Sequence, residues 1–217
     1  MILEIKNYTK IIKNKTILDG INLKLTSGNV YGFYGRNGSG KTMLFRAIST
    51  LIFPSEGDVL IDDKSIIYDD YDLSNIGIVL EDPGFYSHLN AFDNLSILYQ
   101  INHKKNPEYI ESMIQKVGLE QSSKKKYKEY SLGMKQKLRI AQAIMENQQL
   151  ILFDEPTNGL DEKSIDNIRN IILSLKEEDK MVLLASHNKD DLKLLCDKIY
   201  NIEDGKVVGE IRLWKNF

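Results

Sequence analysis

The chain has 217 residues, 42% of them hydrophobic and 28% charged, a mixture that supports one globular domain with a sizeable core and excludes a disordered or collagen-like chain. Its 29 Lys and Arg against 31 Asp and Glu leave a formal net charge of −2, with no basic excess to drive binding to nucleic acid. No apolar run nears the roughly 18 residues of a membrane-spanning helix, Cys196 has no second cysteine to pair with, and the opening Met-Ile-Leu-Glu-Ile-Lys lacks the basic-then-apolar order of a signal peptide. A cytosolic location is expected.

Ile2–Lys6 and Ile21–Leu25 alternate apolar and polar residues at period two, as half-buried strands do. Val30–Tyr34 is an apolar and aromatic run ending in a glycine-rich turn, and Met43–Leu51 carries apolar residues at helical spacing, so strand, loop and helix are expected in that order. Val59–Ile61 resumes strand character after the Glu56-Gly57 turn, and Ile76–Leu80 suits a buried strand. From about residue 82 to 147 the pattern is helical, over Leu95–Ile101, Tyr109–Val117 and Lys135–Met145, with Asn106-Pro107 and Gly118 as breakers. Leu150–Phe153 and Met181–Ala185 are apolar strands flanking an amphipathic helix at Ser164–Lys176, the order of a parallel sheet. A last hairpin, Lys198–Glu203 and Lys206–Ile211, turns at Asp204-Gly205. The class is α/β.

Gly35-Arg36-Asn37-Gly38-Ser39-Gly40-Lys41-Thr42 satisfies G-x-x-x-x-G-K-[ST] between a predicted strand and a predicted helix, the context that makes it a phosphate-binding loop. Its glycines let the backbone curl so that successive N–H groups face phosphate oxygens, with Gly35, Asn37, Gly38, Ser39 and Gly40 as the binding positions, and the helix start adds partial positive charge. In this pattern Lys41 reaches the β- and γ-phosphates and Thr42 ligates Mg²⁺. The plain alternative is a glycine-rich turn that caps a helix. Leu150–Phe153 delivers the adjacent carboxylates Asp154 and Glu155 to a strand end. Asp154 there suits Mg²⁺, and Glu155 suits the polarisation of an attacking water, although such a pair by itself also describes a solvated strand end.

Asp154-Glu155-Pro156-Thr157-Asn158-Gly159-Leu160-Asp161 resembles the extended Walker B motif and D-loop of ATP-binding cassette (ABC) ATPases, and Tyr130-Ser131-Leu132-Gly133-Met134-Lys135-Gln136 resembles their signature, with Leu132 in place of the first glycine of Leu-Ser-Gly-Gly-Gln. The S-L-G-M-K-Q form is similar to that of drug and bacteriocin exporters. His187, after Met181–Ala185, is placed like the family's switch histidine at the γ-phosphate; a lone histidine after a strand is otherwise structural. The resemblance runs the length of the chain. It implies a P-loop NTPase fold with a parallel core sheet, an N-terminal antiparallel β subdomain and a helical insertion, as one domain of about 1–81 and 148–217 with 82–147 inserted. It also implies that ATP is held between two cassettes, Ser131 and the Gly133 backbone completing the site of the partner's Lys41, with Asp161 in the loop beside it. Ser131 also suits a helix cap.

Two positions depart from the family pattern. Glu81 stands where a glutamine usually follows the strand; as a carboxylate it only accepts hydrogen bonds, which suits Mg²⁺ or a water proton and repels phosphate, and it is similar to the glutamate version in lantibiotic self-immunity transporters. A solvated loop acid is the other reading. The aromatic that stacks on adenine falls at Ile12, which offers apolar contact alone unless Tyr8 takes the role. Asn188-Lys189-Asp190-Asp191 matches the guanine-reading N-K-x-D, but no D-x-x-G segment precedes it. Lys124–Lys128 is a basic run with one aromatic, read as a solvated linker before the signature.

The resemblance thus implies an ATP-binding and ATP-hydrolysing subunit, with Mg²⁺, that powers export of a drug, antimicrobial peptide or similar substrate through separate transmembrane permease subunits, peripheral on the inner face of the membrane. Its second nucleotide-binding domain is another copy or a paralogue, and no nucleic-acid partner is expected. Pro83, Gly84, Phe85 and Tyr86 are the expected docking knob, as turn residues beside exposed aromatics. The alternatives are a soluble regulatory or nucleic-acid-associated ABC ATPase, and an unpaired P-loop kinase or GTPase.

Overall fold

A computed structural model describes residues 1–80, 84–119 and 125–212. The chain opens with β1 (Ile2–Ile12) and β2 (Lys15–Thr26), joined through Lys13 and Asn14, both at positive φ. Register shifts in this pairing between Ile5 and Tyr8 and again up to Ile11 break the strict period of two. That is why alternation in the sequence reaches only the outer part of each strand. β4 (Glu56–Ile61) pairs antiparallel with β1, and the two-residue β5 (Lys64–Ser65) with β4.

The second sheet holds β3 (Val30–Tyr34), β6 (Ile76–Val79), β7 (Leu150–Asp154), β8 (Met181–Ser186), β9 (Lys198–Glu203) and β10 (Lys206–Arg212) in the order β10-β9-β3-β8-β7-β6. It is parallel from β9 to β6, with β10 antiparallel at the edge. Its central strands are buried on both faces, so they read as unbroken apolar runs. Alternate residues serve different cores. Tyr31, Phe33, Leu150, Leu152, Met181 and Leu183 pack with the antiparallel sheet and with α1 (Lys41–Ile48). Val30, Ile151, Phe153, Val182 and Leu184 pack with the helices of the other layer.

Between β6 and β7 run α2 (Ala91–Tyr99), α3 (Pro107–Lys116) and α4 (Leu132–Ile144); α5 (Glu162–Glu177) follows β7 and α6 (Lys189–Leu195) follows β8. Asn90, Asn106, Ser131, Asp161 and Asn188 cap α2 to α6, each accepting a backbone N–H of the first turn. α6 lies where the sequence suggested only the N-K-x-D pattern, because seven residues are too few to display a period.

One expectation is overturned. Phe85 is 9% exposed and meets the Tyr127 ring edge-on at 5.2 Å between centroids, because a turn aromatic beside α2 gains more from the helical core than from water. Tyr86, in contrast, is 53% exposed. Its backbone N–H and C=O are both held by the buried Asn94 side chain. Pro83 and Lys124 lie outside the described residues.

Among the described glycines, Gly77 leaves the least room for a side chain, where β6 meets α4. A Cβ on Gly77 of β6 would stand 1.9 Å from the Ala143 carbonyl oxygen of α4, whereas one on Gly209 of β10 meets nothing within 4 Å. Gly77→Ala is therefore expected to cost about 3 kcal/mol of stability and Gly209→Ala close to none, as read from urea unfolding midpoints.

Candidate nucleotide site

The glycine-rich loop joins β3 to α1. Gly38 at φ 80° and Gly40 at φ 112° occupy backbone conformations that a side chain disfavours, and these two turns bring the chain back over the start of α1. Gly40 caps that helix without a side-chain hydrogen bond, and its first turn carries no acid, so its N-terminal dipole is left for an anion. Lys41 is 5% exposed. Its Nζ donates to the Gly35 and Arg36 carbonyls at 2.8 and 3.2 Å and lies 3.7 Å from Glu155 Oε1. Thr42 Oγ1 donates to Asp154 Oδ2 at 2.5 Å.

Asp154 ends β7 level with Ala185 of β8. Glu155 follows it at φ 48°, a conformation that costs a non-glycine residue on the order of 1–3 kcal/mol and is held only by firm surroundings. Those surroundings are visible. Glu155 N donates to the Ala185 carbonyl at 2.9 Å, Ser186 Oγ donates to Glu155 Oε2 at 3.3 Å, and His187 N donates to Oε1 at 3.0 Å. His187 Nδ1 lies 2.9 Å from Oε2. The carboxylate is thus oriented by two residues of the adjacent strand end and faces the loop lysine.

The residues fit a triphosphate with a divalent cation. Ser39 Oγ is buried without a hydrogen-bond partner among the described residues, and the uncapped helix start and Lys41 supply further donors. Among the described residues no group of three or more His, Cys, Asp or Glu could hold a metal. The hydroxyl and carboxylate of Thr42 and Asp154 are hard oxygen donors, of the kind that bind Mg²⁺ together with phosphate oxygens and water.

A cleft of about 540 Å³ extends from Gly38, Gly40, Lys41 and Thr42 past Asp154 and Glu155 to Leu132 on α4, with Ile17 on its border. Asn37 also lines it. Ser131 is exposed and caps α4 by accepting from Met134 N at 3.2 Å, and Gly133 is buried in the first turn. Asp161 caps α5, and the hydrogen bonds from Ser164 N and Oγ, at 2.9 and 3.1 Å, hold its carboxyl below the usual range. Ile12 ends β1, is 39% exposed and is not among the residues lining the cleft. Glu81 lies outside the described residues.

Tyr8 cannot take the aromatic role suggested for it. It is fully buried, its hydroxyl donates to the Ile52 carbonyl at 2.9 Å, and burial pushes its pKa up to about 12. Among the site residues to which the sequence assigns no role are Ser186 and Ile17. Ile17 carried a usable signal: it is apolar on the parity of β2 opposite to buried Leu18. Asn188 and Asp191, the ends of the N-K-x-D pattern, are occupied within the structure, Asn188 capping α6 and Asp191 bonded to Thr157 and Arg169.

The family model described as ABC transporter matches residues 18–158. The chain belongs to the ABC transporter family. An uncharacterized ABC transporter ATP-binding protein of Bacillus subtilis is 40% identical over 94% of each chain. A bacitracin transport ATP-binding protein of Enterococcus faecalis is 36% identical over 98% of this chain and 70% of its own, and a lantibiotic transport ATP-binding protein of Streptococcus pyogenes is 33% identical over 96% and 90%. A bacterial ABC transporter cassette solved as a dimer superposes with a TM-score of 0.89 at 27% identity, covering 99% of this chain and 100% of that one. A dimeric cassette in a post-hydrolysis state, bound to ADP and Pi, superposes with a TM-score of 0.88 at 26% identity, over 99% and 100%. As an ABC ATPase the chain binds and hydrolyses ATP. No described helix is long and apolar enough to cross a membrane.

Tyr8→Phe removes one hydrogen bond from the β core, so it should lower stability by about 1 kcal/mol, whereas Tyr8→Leu, which removes the ring, should leave ATP affinity within twofold of wild type in equilibrium titration. A large loss of affinity would return Tyr8 to the base.

Proposed function

We propose that this chain is the motor subunit of an exporter of antimicrobial peptides or similar drugs, working as a pair of cassettes beneath separate transmembrane permease subunits at the inner face of the membrane. The observation that carries the reading is the convergence of Lys41, Thr42, Asp154, Glu155 and His187 at one sheet edge. The relatives named for bacitracin and lantibiotic transport supply the substrate class. They favour a transporter over a free-standing ATPase. In this reading the chain is one nucleotide-binding domain, with about 82–147 as the helical insertion in a core of about 1–81 and 148–217.

Lys41 leaves the Gly35 and Arg36 carbonyls for the β- and γ-phosphates, while the N–H groups from Gly35 through Thr42, Asn37 and Ser39 among them, surround the phosphate chain. Thr42 and Asp154 would hold Mg²⁺, which would supply charge neutralisation for the phosphoryl oxygens. Glu155 orients the attacking water and takes its proton. His187 fixes Glu155 and contacts the terminal phosphoryl group. Ile17, which lines the cleft, gives the adenine ring apolar contact; Ile12, off that lining, has this role only as the family resemblance implies it.

Ser131 and Gly133 act in the other cassette's site. The Ser131 hydroxyl uses a lone pair to cap α4, which leaves its O–H to donate to a phosphate oxygen, and the dipole of α4 adds to this. Asp161 holds the adjoining turn. Loss of the bridging phosphate then frees the pair, and that movement passes to the permease.

Glu155→Gln should abolish steady-state hydrolysis and make ATP-dependent dimers accumulate in light scattering; a monomer at saturating ATP contradicts pairing of identical copies, and a dimer formed only with a paralogue identifies a mixed pair. Tyr86→Ala should reduce transport at least fivefold with basal ATPase within twofold of wild type. Equal loss of both contradicts docking through Tyr86.

A further inference from the structure

Glu155 carries a strained backbone, so the groups that hold its neighbours also aim its carboxylate. Those groups form a ring. Ser186 Oγ, which donates to Glu155 Oε2, accepts from Asn188 N at 3.0 Å. Asn188 Oδ1 accepts from Asp190 N and Asp191 N at 3.0 and 3.3 Å, setting Asp191 in the first turn of α6. Asp191 Oδ2 accepts from Thr157 Oγ1 at 3.0 Å, and Thr157 is two residues from Glu155. The ring therefore closes on the residue from which it started. Asp191 is 5% exposed, and its other oxygen pairs with the Arg169 guanidinium of α5. A buried carboxylate with both oxygens engaged is rigid, and rigidity is what an orienting group needs.

We propose that Asp191 is a positioning residue for ATP hydrolysis: through Thr157 on one side and Asn188 and Ser186 on the other, it fixes the loop after β7 against the strand end of β8, and so the direction in which Glu155 presents its carboxylate. This rests on the reading of Glu155 as the group that activates water. The competing role is a stability pair that merely ties α6 to α5 through Arg169. The two roles separate at Thr157, whose hydroxyl belongs to the ring and not to the Arg169 pair.

The test is steady-state ATPase kinetics and equilibrium ATP binding of the purified full chain. Thr157→Val keeps the side-chain shape and removes the donor; it should lower kcat by about tenfold or more with KM and ATP affinity within twofold of wild type. Thr157→Ser, which restores the hydroxyl, should bring kcat back to within about threefold of wild type. Asp191→Asn should lower kcat at least as far as Thr157→Val, again with affinity retained; if that variant does not fold, the Thr157 pair decides. The proposal is overturned by a folded Thr157→Val chain with wild-type kcat, by a Thr157→Ser chain as slow as the valine variant, or by a loss of ATP affinity equal to the loss of kcat. Glu155→Gln run alongside separates the failures. If it hydrolyses at the wild-type rate, the reading of Glu155 fails and this inference with it; if it is inactive while Thr157→Val is normal, only this inference fails.

Discussion

The register of three neighbouring strands, β3, β8 and β7, is the constraint on which the site depends. Tyr34 lies level with Ser186, and Asp154 with Ala185. That alignment puts the loop lysine, the Asp154-Glu155 pair and the Ser186-His187 step within a few side-chain lengths, although more than a hundred residues separate the first from the second. A register slip of one residue in any of the three would turn its apolar residues onto the wrong core and move its functional end away from the others. Packing and chemistry are set by the same pairing. The Thr42–Asp154 hydrogen bond and the Lys41–Glu155 contact are its direct results.

Much of the fold is visible in the order of residues because the core strands are short, apolar and bounded by turn chemistry. Val30–Tyr34 and the last hairpin stand where the pattern placed them. The losses have physical causes. β1 and β2 run well past their alternating ends, since bulges shift the parity in between. β5 and α6 are too short to display a period. α4 starts three residues before its apolar spacing does, because Ser131 supplies a cap while Leu132 stays 53% exposed.

The phosphate loop was legible because its spacing is a backbone requirement, and the carboxylate pair because strand ends point it the same way. The support of Glu155 was not. Ser186, Asn188, Thr157 and Asp191 are ordinary polar residues in sequence, and only the side-by-side pairing of β7 and β8, with α6 following β8, makes them a ring. Phe85 was misread for a related reason: a turn aromatic looks exposed until Tyr127, forty residues on, is folded against it. Aromatic character near a turn says nothing about which side of the chain will face water.

A single copy assembles the lysine, the metal-suited oxygens and the oriented carboxylate, but it leaves Ser131 facing outward at the start of α4. The account therefore stands on ATP being shared between two cassettes. The most direct measurement is a structure of the Glu155→Gln chain saturated with Mg²⁺ and ATP. It should show two cassettes head to tail, each terminal phosphoryl group within hydrogen-bond reach of Lys41 from one and Ser131 from the other. Nucleotide bound by an isolated copy, with every Ser131 still facing solvent, would contradict it.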